Sequence, residues 1–175
     1  MYKSINGNEE TIHRDIVSQC KKGIVELGVL FGATTRIFCI ANSNIPIYGI
    51  DPIIPDSMNA SLIGNEERIK DNTKDFTNFT LIKDYSFNVV KNWDKPFDYV
   101  FIDASHIYKD VKKDFEEWFS KLEPGGYVGL HDSAADRGGP YNWPGPSQLA
   151  RELIDDDRVE YIITVNSLTI FKKIL

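Results

Sequence analysis

Gly23-Ile-Val-Glu-Leu-Gly-Val-Leu-Phe-Gly-Ala-Thr-Thr35 changes character twice in quick succession. Ile24 to Leu27 is a short apolar run, interrupted only by Glu26, of the kind that a parallel sheet buries on both faces. Gly28 and Gly32 bracket a turn in which a side chain would crowd anything lying against the backbone. Thr34 and Thr35 are placed to cap or open a helix that continues through Ala41. The pattern is strand, turn and helix, and it puts a ligand site on the turn. Dinucleotide binding calls for G-x-G-x-x-G, but Leu30 occupies the place of the second glycine.

Working outward, Asn8 to Lys22 reads as a helix capped by Asn8 or Thr11 and stopped by Gly23, with His13 on its surface side. Ile45 to Ile50 is a second buried strand ending at Asp51, 19 residues beyond Gly32. There an acid either accepts ribose hydroxyls or caps the turn before Pro52. A polar, exposed helix is expected from Glu66 to Asp75. Phe79 to Lys83 is a third strand, ending at Asp84 and Tyr85, where the acid again has a binding and a capping reading. Phe97 to Asp103 is the clearest strand, apolar and β-branched. Thus three successive strands end in acids, at the edge where open α/β sheets bind ligands. Asp110 to Leu122 is an amphipathic helix, and Tyr127 to Leu130 a fifth strand ending at His131-Asp132-Ser133. Pro52 to Asn65 and Asp136 to Gly145 are irregular stretches suited to lining or covering a site. After a helix from Pro146 to Ile154, Val159 to Val165 and Leu168 to Lys172 form a hairpin joined by Asn166 and Ser167. The sum is a doubly wound α/β fold with a seven-stranded, mostly parallel sheet, in a single domain spanning 1–175.

The 175 residues, 42% hydrophobic and 26% charged, describe a globular chain with no apolar run as long as a membrane span. The N-terminus lacks the apolar core of a signal peptide, so a cytoplasmic location is expected. A net charge of −6 disfavours nucleic acid as a partner and favours a small molecule or a glycan. Cys20 and Cys39 cannot build a disulfide framework and read as small core residues.

Glu26-x-Gly28-x-x-x-Gly32 resembles the first motif of class I S-adenosylmethionine-dependent methyltransferases. A sulfonium cofactor has no pyrophosphate, which suits the looser glycine spacing. The segments Phe97 to Phe115 and Leu122 to Ser133 resemble one branch more closely: small bacterial-type enzymes related to the catechol and macrolide-sugar O-methyltransferases. The terminal hairpin agrees with that fold. The resemblance implies a cofactor set of Glu26, Gly28, Gly32, Asp51, Asp84, Tyr85 and Asp103. It also implies a Mg2+ or Mn2+ site at Asp103 and Asp132, with His106 as the base three residues after the first metal acid.

Two departures qualify this. Ser133 stands where the catechol type has a metal-binding asparagine. His131 stands where sugar-modifying relatives often have an acid, so either it joins a softer metal such as manganese or it does something else. A metal-free site with His106 or His131 as base therefore stays open. The reaction implied is O-methylation of a small-molecule or sugar hydroxyl, because Asp103-Ala-Ser-His106 lacks the Pro-Pro-aromatic signature of base-directed amino methyltransferases. Two other readings are a nicotinamide-dependent oxidoreductase and a non-catalytic cofactor-binding module. A homodimer that completes an open substrate side is a further expectation.

Overall fold

The computed structural model describes residues 8–55, 63–134 and 143–174. The apolar runs form the sheet. β1 (Ile24–Leu27), β2 (Ile47–Ile50), β3 (Phe79–Ile82), β4 (Tyr99–Ile102) and β5 (Tyr127–Leu130) are parallel. β6 (Val159–Val165) and β7 (Leu168–Lys173) form the closing hairpin, with β7 antiparallel to both β5 and β6. The strand order is β3-β2-β1-β4-β5-β7-β6, so the seven-stranded, mostly parallel sheet is the one expected. Among the described residues, six α-helices flank it: α1 (Glu9–Gln19), α2 (Ala33–Ala41), α3 (Glu66–Thr73), α4 (Ser86–Val89), α5 (Tyr108–Phe119) and α6 (Pro144–Ile154). None of the described helices is long and apolar enough to cross a membrane.

Alternation along the strands splits the core in two. Val25, Leu27, Val100 and Ile102 pack with Phe115 and Trp118 of α5 and Leu149 of α6. Ile24, Ile47, Tyr99 and Phe101 pack with Ile12 and Ile16 of α1 and Phe38 and Cys39 of α2. Glu26 shares the parity of Ile24 and points into that second layer, toward α2. Both cysteines are free and buried, as expected of small core residues.

Several local expectations need correction. His13 is not on the surface but 3% exposed, edge-on to Phe38 and Phe101, with Nδ1 3.0 Å from the Tyr99 hydroxyl. A residue between Ile12 and Ile16 can lie on the apolar stripe, and a histidine whose nitrogen has a buried hydroxyl partner can be accommodated there. Burial and the charge of His131 pull its pKa down to about 4. α1 ends at Gln19, short of Gly23, because the Asp98 carboxylate accepts from the amides of Lys21, Lys22 and Gly23 and holds them in a bend ahead of β1. Neither threonine caps α2: Gly32 is the N-cap, and the Thr35 hydroxyl turns inward to Glu26. α3 is not wholly exposed, since Ile69 and Thr73 are buried.

The register fixes where the chain leaves the sheet. Leu27 pairs with both Ile50 and Ile102, and Ile102 pairs with Leu130. Gly28, Asp51, Asp103 and His131 therefore emerge side by side at one edge. At Gly28, with φ +86°, a β-carbon would run into the backbone carbonyl of Asp103. The glycine is thus required by the protein's own backbone, whatever else lies against the turn.

Two outcomes follow. His13 is neutral when buried but protonates near 6.5 in the unfolded chain, so its contribution is complete above that pH and is lost as the pH falls toward 4. At about 1.4 kcal/mol per pH unit the loss approaches roughly 3 kcal/mol. The gap in thermal stability between the native chain and His13→Gln should therefore narrow between about pH 7 and pH 4.5, and a constant gap would contradict the buried neutral ring. Gly28→Ala should cost about 3 kcal/mol, from left-handed strain and the forced separation of β1 and β4, and lower the melting temperature by about 10 °C. A loss below about 1 kcal/mol would mean that the strand ends can part freely.

Candidate active site at the carboxyl edge of the sheet

The turn after β1 carries three left-handed residues: Gly28 (φ 86°), Leu30 (φ 52°) and Gly32 (φ 77°). Leu30 thus fills the place of the missing glycine while keeping a glycine-like backbone. The Asp51 carboxylate holds this conformation. Its Oδ2 accepts from the amides of Val29 at 2.8 Å and Leu30 at 2.9 Å, and its Oδ1 from Ile53 at 2.7 Å. The Asn65 amide donates to the Leu30 carbonyl at 2.9 Å, which brings the start of α3 across the turn. Gly64 then lies directly on Asp51, so close that a β-carbon there would be 3.2 Å from Oδ1. Of the irregular stretch Pro52 to Asn65, residues 56–62 lie outside the described residues.

Glu26 is 1% exposed and takes the Thr35 hydroxyl at 2.5 Å. Burial raises its pKa to about 8; the Thr35 bond opposes this, and the charges of Asp103 and Asp51 add to it. The side chain is therefore protonated near neutral pH and belongs to the α2 interface as much as to the turn. Asp84 and Tyr85 stand apart on the exposed rim beyond β3. Asp84 Oδ1 accepts from the Tyr85 amide at 2.7 Å and from Asn88 Nδ2 at 2.9 Å, next to but not capping α4, whose N-cap is Tyr85, and Tyr85 stacks on Phe87. The Asn88 and Tyr85 bonds hold its carboxyl below the ordinary aspartate range.

The ends of β4 and β5 assemble the second half of the site. His131 Nδ1 is 3.0 Å from Asp103 Oδ1 and 3.5 Å from Asp132 Oδ2. His106 Nε2 is 3.0 Å from that same Asp132 oxygen, and its ring stacks on Trp143 at 4.6 Å and 9°. Asp132 has φ 52°, which turns its carboxylate back between the two imidazoles. For Asp132, burial opposes ionisation, but the bonds from His106 and His131 outweigh it and bring the pKa to about 2. For His131, burial opposes the charged form, but the Asp103 carboxylate and the bonds that the ring donates to Asp103, Asp132 and Glu9 push its pKa well above the usual range.

Ligand atoms of Asp103, His131 and Asp132 all lie within 4.8 Å of one another. One buried atom of this group, Asp132 Oδ1, has no hydrogen-bond partner. Buried polar atoms are seldom left so, and a two-carboxylate, one-imidazole donor set suits a divalent cation of the manganese kind better than magnesium. These residues fit a metal. Ser133 does not join them: its hydroxyl lies within hydrogen-bond distance of the Leu130 and Ser167 carbonyls and the Thr169 hydroxyl, in the core.

Of the residues singled out from the sequence, the edge gathers Asp103, His106, His131 and Asp132 into one cluster and sets Gly28, Gly32 and Asp51 beside it. Asp84 and Tyr85 stay on the rim. Sequence reasoning missed Glu9, which reaches His131 from α1, and Gly64. Thr35 was read only as a cap. A first-turn acid resembles any dipole-complementing glutamate, so Glu9 gave no signal. The loop Asp136 to Gly145 is described only from Trp143 onward.

A family model described as a methyltransferase domain matches residues 25–133, more than half of the chain. Among curated proteins, an uncharacterised protein of Acanthamoeba polyphaga mimivirus, R132, is 26% identical over 138 residues, covering 74% of this chain but only 59% of its own length. Among solved structures, an O-methyltransferase from Bacillus cereus in complex with S-adenosylhomocysteine superposes with a TM-score of 0.69 at 15% identity, over 100% of this chain and 84% of that one. The O-methyltransferase TomG from Streptomyces achromogenes, in complex with S-adenosylmethionine, does so with a TM-score of 0.67 at 17% identity, over 94% and 78%. The solved structures share the fold, and the family model spans the turn after β1, Asp51 and the whole Asp103-to-Asp132 cluster: the chain belongs to the methyltransferase-domain family.

Proposed function

We propose that the protein transfers the methyl group of S-adenosylmethionine to a hydroxyl oxygen of a small molecule or sugar, with a divalent cation held by Asp103, His131 and Asp132. The observation that carries this reading is the cluster itself: three metal-type donors within 4.8 Å, one of them with an unpartnered buried oxygen, beside a glycine turn of the methyltransferase family. Structural neighbours crystallised with S-adenosylmethionine or S-adenosylhomocysteine support the choice of cofactor. So does the acidic edge, which attracts a sulfonium cation and repels the pyrophosphate of a nicotinamide dinucleotide.

The cation, when bound, would lower the pKa of a coordinated hydroxyl and fix the oxygen in line with the methyl group. The chain's own residues do the rest. Asp132 is divided: Oδ2 is engaged by His106, while Oδ1 is left to a cation. With Nε2 donating to Asp132, the His106 ring carries its lone pair on Nδ1, which takes the hydroxyl proton. Trp143 fixes the ring plane by stacking. Asp51 binds ribose hydroxyls only if Gly64 and the residues around it draw back from the carboxylate, so cofactor binding and movement of the Ile63–Asn65 stretch are coupled.

Calorimetric titration with S-adenosylhomocysteine tests the cofactor assignment. The native chain should bind, Asp51→Ala should weaken binding at least about tenfold, and Asp103→Asn should leave it near native, because its loss falls on the cation and the acceptor. In a transfer assay from labelled cofactor to a panel of hydroxylated acceptors, His106→Gln should lower kcat by about 10²- to 10⁴-fold. Absence of S-adenosylhomocysteine binding, with or without Mg2+ or Mn2+, would defeat the proposal.

A further inference from the structure

The first turn of α1 carries two glutamates with different fates. Glu10 makes an ordinary surface pair with Arg14 at 2.7 Å. Glu9 instead crosses to the turn between β6 and β7, where its Oε1 accepts from both the amide and the hydroxyl of Ser167 at 2.8 Å. This anchors the carboxylate against the far side of the His131 ring. Glu9 Oε2 lies 3.5 Å from His131 Nε2, and Ser167 Oγ lies 3.3 Å from the same nitrogen. The Ser167 hydroxyl has one proton and gives it to Glu9, so toward His131 it accepts. Both oxygens facing Nε2 are therefore acceptors, and Nε2 must carry a proton. The other nitrogen, Nδ1, faces Asp103 Oδ1 at 3.0 Å and Asp132 Oδ2 at 3.5 Å.

We propose that Glu9, through Ser167, is a positioning residue that locks His131 with its proton on Nε2 and so presents Nδ1 as a metal ligand alongside Asp103 and Asp132. The inference rests on the metal-assisted part of the proposed function. The arrangement is a carboxylate–histidine–metal relay, in which the outer acid fixes the tautomer and the ring angle of the ligand. The buried histidine–tyrosine pair one helical turn along, His13 with Tyr99, keeps α1 in the register that this requires. A helix on the edge of the fold thereby contributes to the centre of the site, and a histidine replaces the acid that relatives often carry without leaving its orientation to chance.

The test is Mn2+ binding to the full chain, read by electron paramagnetic resonance, for the native protein, Glu9→Gln, His131→Asn and the double variant. S-adenosylhomocysteine affinity and thermal melting are measured in parallel. Glu9→Gln should weaken Mn2+ binding about ten- to a hundredfold in the native background, and leave it unchanged once His131 is asparagine. Should Glu9→Gln melt early, Ser167→Ala removes the hydroxyl that holds Glu9 and faces His131 Nε2, leaves the amide bond and α1 in place, and gives the same comparison with a smaller loss. Equal affinities for native and variant would overturn the relay. So would an equal loss in both backgrounds, which is the signature of a distant charge. Absence of Mn2+ binding by the native chain would remove the relay and the metal together; S-adenosylhomocysteine binding retained in that case leaves methyl transfer standing, and its loss removes both readings.

Discussion

Three carboxylates from distant parts of the chain meet on one imidazole: Glu9 from α1, Asp103 after β4 and Asp132 after β5 all lie within 3.5 Å of a His131 nitrogen. Two like charges about 4 Å apart repel by about 4 kcal/mol at the effective dielectric of a protein surface. Without a cation between them these acids would take up protons or force the strand ends apart. The imidazolium resolves the conflict; because its pKa is raised in the fold, its contribution is complete below the unfolded value of 6.5 and declines as the pH rises from there toward the folded value. His13 runs the opposite way, being neutral in the core and weakening the fold as the pH falls below 6.5. The two histidines sit on either side of Phe101 and confine greatest stability to the middle of the pH range.

The sheet converts this local balance into a site. Because β1, β2, β4 and β5 stop in the same register, the groups that follow them emerge level, and none has to be delivered by a long loop. The joint at Gly28 presses the turn after β1 against the Asp103 backbone, so the two halves of the site cannot drift independently. Beneath them the protonated Glu26 ties β1 to α2 through Thr35 without adding another negative charge to an edge that already holds several.

The strands of the mostly parallel sheet, hairpin closure and the acids at the strand ends were legible because each rests on a local pattern. Phe97 to Asp103 is an unbroken apolar run with one acid at its end, and the level exit of Asp51 and Asp103 follows from equal strand lengths. What escaped sequence reading depends on side chains meeting across long separations. The separation of 158 positions between Glu9 and Ser167 leaves no spacing to detect. His13 looked like a solvent-facing residue because its buried partner, Tyr99, lies 86 residues away on a strand that reads as purely apolar. Helix ends were misjudged for the same reason: Asp98, not Gly23, holds the chain where it leaves α1.

Backbone strain is concentrated where the chemistry is placed. The four described non-glycine residues with left-handed φ are Leu30, Ile53, Asp132 and Asn166, and all lie at the carboxyl edge. Each costs of order 1 kcal/mol or more relative to glycine, most of all for β-branched Ile53. Glycine would remove that cost but also the side chain, and at Asp132 the side chain is what the strained backbone serves. Only with φ near 52° does one carboxylate face both His106 and His131, leaving its second oxygen without a partner. At Leu30 and Ile53 the strain is held by Asp51, whose oxygens take the Leu30 and Ile53 amides. Any ligand that competes for Asp51 therefore loosens two strained residues at once, and the strain released offsets part of the hydrogen bonding that is given up.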